Sequence, residues 1–120
     1  MNTKTVGNKG EAIVSQYLRE KGYIISATNY HSRFGEIDII AENNSVIAFV
    51  EVKTRNNNAL TLPREWVDLK KQQKIKLTAL QYLAHNFCEG LQVRFDVAEI
   101  IYQNKTCKIN YIESAFSGVE

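Results

Sequence analysis

The sequence predicts a mixed α/β domain, a central sheet flanked by helices in the order α-β-β-β-α-β-β. Three observations predict it. Residues 9–21 and 68–87 carry apolar side chains at helical spacing. Between them, residues 35–42 and 46–54 are short runs apolar on both faces, the pattern of central strands rather than of an edge. After the second helix, residues 91–102 and 105–112 read as a closing hairpin around Gln103-Asn104.

Each element has a local reason. In the first helix Ile13, Val14, Tyr17 and Leu18 form one apolar arc, with Asn8 as N-cap and Gly22 as the stop. Tyr23 to Thr28 reads as a strand ended by the turn-prone Asn29. The polar break Asn43-Asn44-Ser45 suits a hairpin between the two central strands. Residues 56–63 form a polar loop. The second helix starts at Asp68 as N-cap and runs to Phe87, with Leu69, Ile75, Ala79, Leu80, Leu83 and Phe87 on one side and Lys70, Lys74, Gln81 and His85 on the other.

The chain has 120 residues, which predicts one domain over 1–120 with no linker, repeat or low-complexity segment. Its 44% apolar and 23% charged residues exclude a disordered composition. No apolar run approaches the ~20 residues that span a bilayer, and the N-terminal residues lack the apolar stretch of a signal peptide. A cytoplasmic protein with no membrane partner is expected. Cys88 and Cys107 stand apart, without metal-ligand spacing, and read as free thiols packed as small apolar groups. A metal site, if present, must use oxygen ligands.

A net charge of +2 is too small to indicate a partner, but its distribution is uneven. Between residues 53 and 76 seven basic side chains, among them Lys53, Arg55, Lys70, Lys71 and Lys74, face only Glu65 and Asp68, a balance of +5. The rest of the chain is therefore at −3. A phosphate-binding side has this footprint, and so does a solvated helix face.

The chemistry concentrates on charges inside the apolar strands: Glu36, Asp38, Glu51 and Lys53. An unpaired charge on a central strand costs several kcal/mol, on the order of magnitude of burial penalties, so these residues need a reason. Side chains alternate, and an odd pairing sum (38 or 36 opposite 51) puts all four on one side. It also groups Ile37, Ile39, Val50 and Val52 on the other. Two carboxylates converging from neighbouring strands make a hard oxygen site for Mg²⁺ or Mn²⁺, with Lys53 projecting into the same space. A cross-strand ion pair that only stabilises a hairpin has the same spacing. Gln72, a polar residue inside the apolar arc of the second helix, is a secondary candidate unless it lies beyond the core and meets water. Arg94 and Asp96 share a strand face and are expected to pair.

The residues carry a family resemblance. Asp38 followed by Glu51-Val52-Lys53 resembles the signature of restriction-endonuclease-like nucleases. The closer resemblance is to the YraN-like family of bacterial proteins, related to archaeal Holliday-junction resolvases. It rests on Gly7-x-x-Gly10-Glu11, Gly35-Glu36-Ile37-Asp38, Phe49-Val50-Glu51-Val52-Lys53-Thr54-Arg55 and Arg94-Phe95-Asp96-Val97. The proline usual before the first aspartate is absent, with Ile37 in its place, and the segment 56–66 departs from the family's pattern.

The resemblance implies a restriction-endonuclease-like core acting as a metal-dependent endonuclease. Asp38 and Glu51 would bind Mg²⁺ or Mn²⁺, Lys53 would assist the attacking water, and Glu11 would add a carboxylate from the first helix. A favourable acidic residue at a helix N-terminus is the plainer account of Glu11. Arg55, Lys70, Lys71 and Lys74 are the expected nucleic-acid contacts and Glu36 a secondary site residue. The expected partner is DNA, branched or linear, and cutting both strands of a junction favours a symmetric homodimer. A non-catalytic binding module of the same fold, and an enzyme on a small phosphorylated substrate, are the competing readings.

Overall fold

The computed structural model describes the backbone of residues 3–56, 67–86 and 88–117, and their side chains except those of residues 3–8 and 56. The elements follow the expected order: α1 (Thr3–Glu20), β1 (Ile24–His31), β2 (Glu36–Glu42), β3 (Val46–Asn56), α2 (Leu69–His85), β4 (Gln92–Gln103) and β5 (Thr106–Phe116). The strands form one mixed sheet in the order β1-β2-β3-β4-β5. Neighbours run antiparallel except β3 and β4, which are parallel and joined by α2, since a parallel pair needs a crossover.

Several boundaries move. α1 begins at Thr3, so Asn8 lies inside the helix and does not cap it. Gly7 gives no stop there, because a glycine costs a helix only about 1 kcal/mol. Gly22 does end α1: at φ 95 it donates to the Arg19 carbonyl while Tyr23 N–H reaches the Leu18 carbonyl, a Schellman closure. β1 runs past the expected end at Thr28 to His31, with Asn29 held in the left-handed region at φ 51 within the strand. Asn43 makes the expected hairpin turn, its Oδ1 accepting from Ser45 and Val46 N–H at 2.8 Å each. The β4–β5 hairpin turns at Asn104, φ 57, and β5 continues to Phe116 rather than stopping at Ile112. α2 ends at His85, with Asn86 already extended at φ -135 and ψ 137, short of the expected end at Phe87. The loop expected at 56–63 falls mostly outside the described residues.

The core has two faces. On one, Val14 and Leu18 of α1 pack on Ile39, Ala41, Ala48, Val50, Ala98 and Ile100. Gly10 lets α1 approach this closely: a Cβ there would meet Ile100 Cδ1 and Thr54 Oγ1 at 3.2 Å. On the other, Ile75, Ala79 and Tyr82 of α2 pack on Ile37, Ile40, Ile47, Phe49, Phe95 and Val97. Phe49, Phe95 and Phe116 stack across β3, β4 and β5 at 5.6 and 5.2 Å between ring centroids. α2 buries a narrower stripe than its periodicity suggests. Leu69 and Leu80 are 81% and 62% exposed, not part of the core, because α2 meets the sheet chiefly through β2. Both cysteines are free; Cys88 packs at the core margin, whereas Cys107 is exposed rather than packed.

Candidate functional site

The site forms where the β2–β3 ladder ends. The two strands pair from Glu42 opposite Ile47 to Ile39 opposite Val50, the expected odd register. Beyond Ile39 the β2–β3 pairing stops, while β3 stays paired with β4 as far as Asn56 opposite Tyr102. Val52 N–H donates to Asp38 Oδ2 at 2.8 Å, so a side-chain carboxylate stands where a further ladder acceptor would be. Asp38 is thereby fixed beside Glu51. One expectation fails here. Ile37 packs on the α2 side, apart from Ile39, Val50 and Val52, which face α1. The left-handed Asn29 lies opposite Asp38, between the pairs Thr28–Ile39 and Tyr30–Ile37, and the kink reverses the alternation at that point.

Glu51 is buried on the α2 side, its side chain 8% exposed. Its Oε1 lies 2.8 Å from Lys71 Nζ and 3.7 Å from Lys53 Nζ. Burial, then the charge of Glu51, pushes Asp38 up to about 7, with the Val52 N–H opposing. Burial and the neighbouring Lys71 lower Lys53. Burial acts against the charge on Lys71 as well, but its hydrogen bond to Glu51 outweighs this and the net direction is upward.

Glu11 and Glu36 stand at the rim. Asn29 Nδ2 donates to Glu11 Oε2 and to Glu36 Oε1, each at 3.1 Å, bridging α1 to β2. Partial burial raises Glu11, Asn29 opposes that, and the charges of Glu36 and Glu51 add to it. Glu11 is thus held on the site side of α1.

A cavity of about 450 Å³ opens above these groups. Glu36, Asp38 and Glu51 form its acidic side, and Lys70, Lys71 and Lys74 of α2 form its basic wall. Asp68 caps α2, accepting from Lys71 N–H at 2.8 Å, and Ser32 Oγ contacts Thr78 Oγ1 at 2.7 Å to tie the β1–β2 turn to the helix. Two expected site residues are placed elsewhere. Gln72 donates to the Val67 carbonyl at 2.8 Å and braces the start of α2 instead of lining the cavity. Arg55 shares the Glu51–Lys53 face of β3, but its guanidinium ion-pairs with the buried Glu99, which also accepts from Asn110.

Sequence reading missed Lys71 as a partner of Glu51, Asn29 as the shared donor, and Glu99. A signal for Lys71 was available: a β3–α2–β4 crossover brings the first turn of the helix back over the carboxyl end of β3, where Glu51 and Lys53 sit.

Asp38 and Glu51 make a donor set that suits Mg²⁺ or Mn²⁺, ions commonly held by one or two carboxylates together with waters. Among the described residues no group of three or more His, Cys, Asp or Glu converges on one point, so the donors do not make a closed protein cage.

Fold and site define a small mixed α/β domain with a carboxylate-and-lysine cavity at the carboxyl end of a parallel strand pair. The chain belongs to the uncharacterised protein family UPF0102, whose model matches residues 10–100, the span from Gly10 through the sheet to Ile100. A UPF0102 protein of Alkaliphilus metalliredigens is 46% identical over 114 residues, covering 95% of this chain and 99% of that protein. UPF0102 proteins of Caldanaerobacter subterraneus and Clostridium tetani are 44% and 43% identical, covering 97% and 94% of this chain and 98% and 94% of their own lengths.

Proposed function

We propose that the chain is a metal-dependent endonuclease of the restriction-endonuclease-like class, hydrolysing phosphodiester bonds in DNA, branched or junction DNA included. The observation that carries this reading is the cavity itself, which sets the buried Glu51 and the half-buried Asp38 against a wall of lysines. A divalent ion held by Asp38 and Glu51 would supply Lewis-acid charge at the scissile phosphate and acidify a water. Lys53 shares their side of the sheet and stabilises charge developing on the phosphate. Lys70 and Lys74 hold flanking phosphates as point charges. Glu11 and Glu36, fixed through Asn29, complete the acidic rim.

The deciding experiment is a cleavage assay on linear, flapped and four-way DNA in Mg²⁺, Mn²⁺ or chelator. Cleavage in either ion and none in chelator is expected; its absence on every substrate sinks the reading. Lys53→Ala should lower the cleavage rate about a hundredfold, as loss of an oxyanion donor does, with divalent affinity unchanged. An equal fall in divalent affinity would mean that Lys53 acts by positioning Glu51 rather than on the phosphate. DNA affinity should also fall steeply with salt, and Lys70→Ala with Lys74→Ala should flatten that slope by about one unit per lost phosphate contact. An unchanged slope makes these lysines a solvated face.

The runner-up is a non-catalytic module binding nucleic acid or protein. It is favoured by one observation, that Glu51 already has an ammonium on its Oε1. Chelator-insensitive DNA binding without cleavage would select it. The nuclease reading also implies a cytoplasmic protein and, for paired cuts in a junction, a symmetric dimer; no described helix is long and apolar enough to cross a membrane. Light scattering with and without junction DNA tests the dimer.

A further inference from the structure

Among the described residues Lys71 is the cation nearest to Glu51, though it belongs to neither strand of the site. Its Nζ is 2.8 Å from Glu51 Oε1, closer than Lys53 at 3.7 Å. Its backbone is pinned in the first turn of α2 by the Asp68 carboxylate, and that turn is braced by Gln72 on the Val67 carbonyl. The two ends of the Lys71–Glu51 pair differ sharply. Glu51 is fixed and 8% exposed, whereas the Lys71 side chain is 40% exposed and lines the cavity. A carboxylate buried that deeply needs a counter-charge, and Lys71 supplies it on a long, flexible stem anchored at the cavity wall. A divalent ion would need the same oxygen.

We propose that Lys71 is the built-in counter-ion of the site: it competes with the divalent cation for Glu51 and, once displaced, turns to a phosphate of the substrate in the cavity. This rests on the reading of Asp38 and Glu51 as the ion-holding pair. Lys53 does not fit the part, being anchored on the sheet two residues from Glu51, farther from the oxygen and only 27% exposed. Lys70, on the same wall, is the control for a lysine that faces phosphate without guarding the carboxylate.

The test is calorimetric titration of the full chain with Mn²⁺, comparing wild type with Lys71→Met, Lys71→Arg and Lys70→Met. Anisotropy of a labelled DNA duplex in Ca²⁺ and melting curves in chelator and in Mn²⁺ accompany it. Lys71→Met should bind Mn²⁺ about tenfold tighter, the scale of one removed ion-pair competitor, and the duplex about tenfold more weakly. Lys71→Arg should stay near wild type for Mn²⁺, and Lys70→Met should leave Mn²⁺ affinity unchanged. Lys71→Met should also melt lower than wild type in chelator and gain more from Mn²⁺, a crossing that a purely structural lysine does not produce. Lys71→Gln is read the same way if Lys71→Met proves unstable. Equal or weaker Mn²⁺ binding by the variant overturns the counter-ion role and leaves the metal site standing. Saturable binding by the variant alone supports the counter-ion role and turns the wild type toward the non-catalytic reading. No saturable binding by either overturns both.

Discussion

Asp96→Ala is expected to destabilise the protein by about 3–5 kcal/mol, the cost of leaving a buried ion pair without one partner. Asp96 has no solvent exposure and sits on β4, facing α1. Arg94 grips it with Nε at 2.9 and 3.1 Å and Nη2 at 2.9 Å, Tyr111 Oη donates at 2.6 Å, and Ser114 N–H donates at 3.0 Å. Ser114 reaches it because β5 bulges there, at φ 52. Removing the carboxylate strands a guanidinium whose side chain is 10% exposed. Glu113, 3.5 Å away and 65% exposed, is too well solvated to replace it. Asp96→Asn keeps one accepting oxygen, enough for Ser114 N–H or for Tyr111 Oη but not for both, and should lose less. Urea unfolding of both variants measures this, and a loss under about 1 kcal/mol for Asp96→Ala would mean that the network is not cooperative.

The same cluster shows how far local reading goes. The Arg94–Asp96 pair is legible from side-chain alternation along one strand, but Tyr23 and Tyr111, which complete it, come from elements 71 and 15 residues away. The site divides in the same manner. Glu51 and Lys53 follow from alternation, and Asp38 joins them because an odd register is the one that gathers the charges. Ile37 defeats the rule because alternation assumes an unbroken pleat. Asn29 reads as turn-prone, but a residue that ends a strand and one that kinks a strand which then continues to His31 look alike in the sequence. On α2, helical periodicity places Leu69, Leu80 and Gln72 on the apolar arc but cannot tell how much of the arc the sheet covers. The helix meets chiefly β2, so the leucines face solvent and Gln72 bonds to the backbone before the helix. Lys71 looks like one more surface lysine until the crossover is drawn.

Asp38 should behave in the opposite sense to Asp96, and the contrast separates a structural carboxylate from one kept for chemistry. Asp38 accepts one backbone N–H and faces the charge of Glu51, and burial with that repulsion pushes it up to about 7, above its ordinary 3.8. Below about pH 4 it is protonated in folded and unfolded chains alike and contributes nothing. As pH rises from about 4 to 7 the unfolded chain releases this proton and the folded chain does not, so stability falls, and the cost is complete above about 7. In chelator, wild type should therefore melt higher at pH 5 than at pH 8. Asp38→Asn should melt higher than wild type at pH 8 and lose most of the difference between the two pH values, its amide oxygen still accepting from Val52. Mn²⁺ should raise the wild-type melting temperature at pH 8 and leave Asp38→Asn nearly unmoved, since binding to the folded state alone is stabilising and the variant has lost half of the ion's charge complement. If Asp38→Asn melts lower than wild type in chelator at pH 8, Asp38 is a structural cap of the broken ladder. The cost of keeping it ionised beside Glu51 then disappears as a reason to see a functional site there.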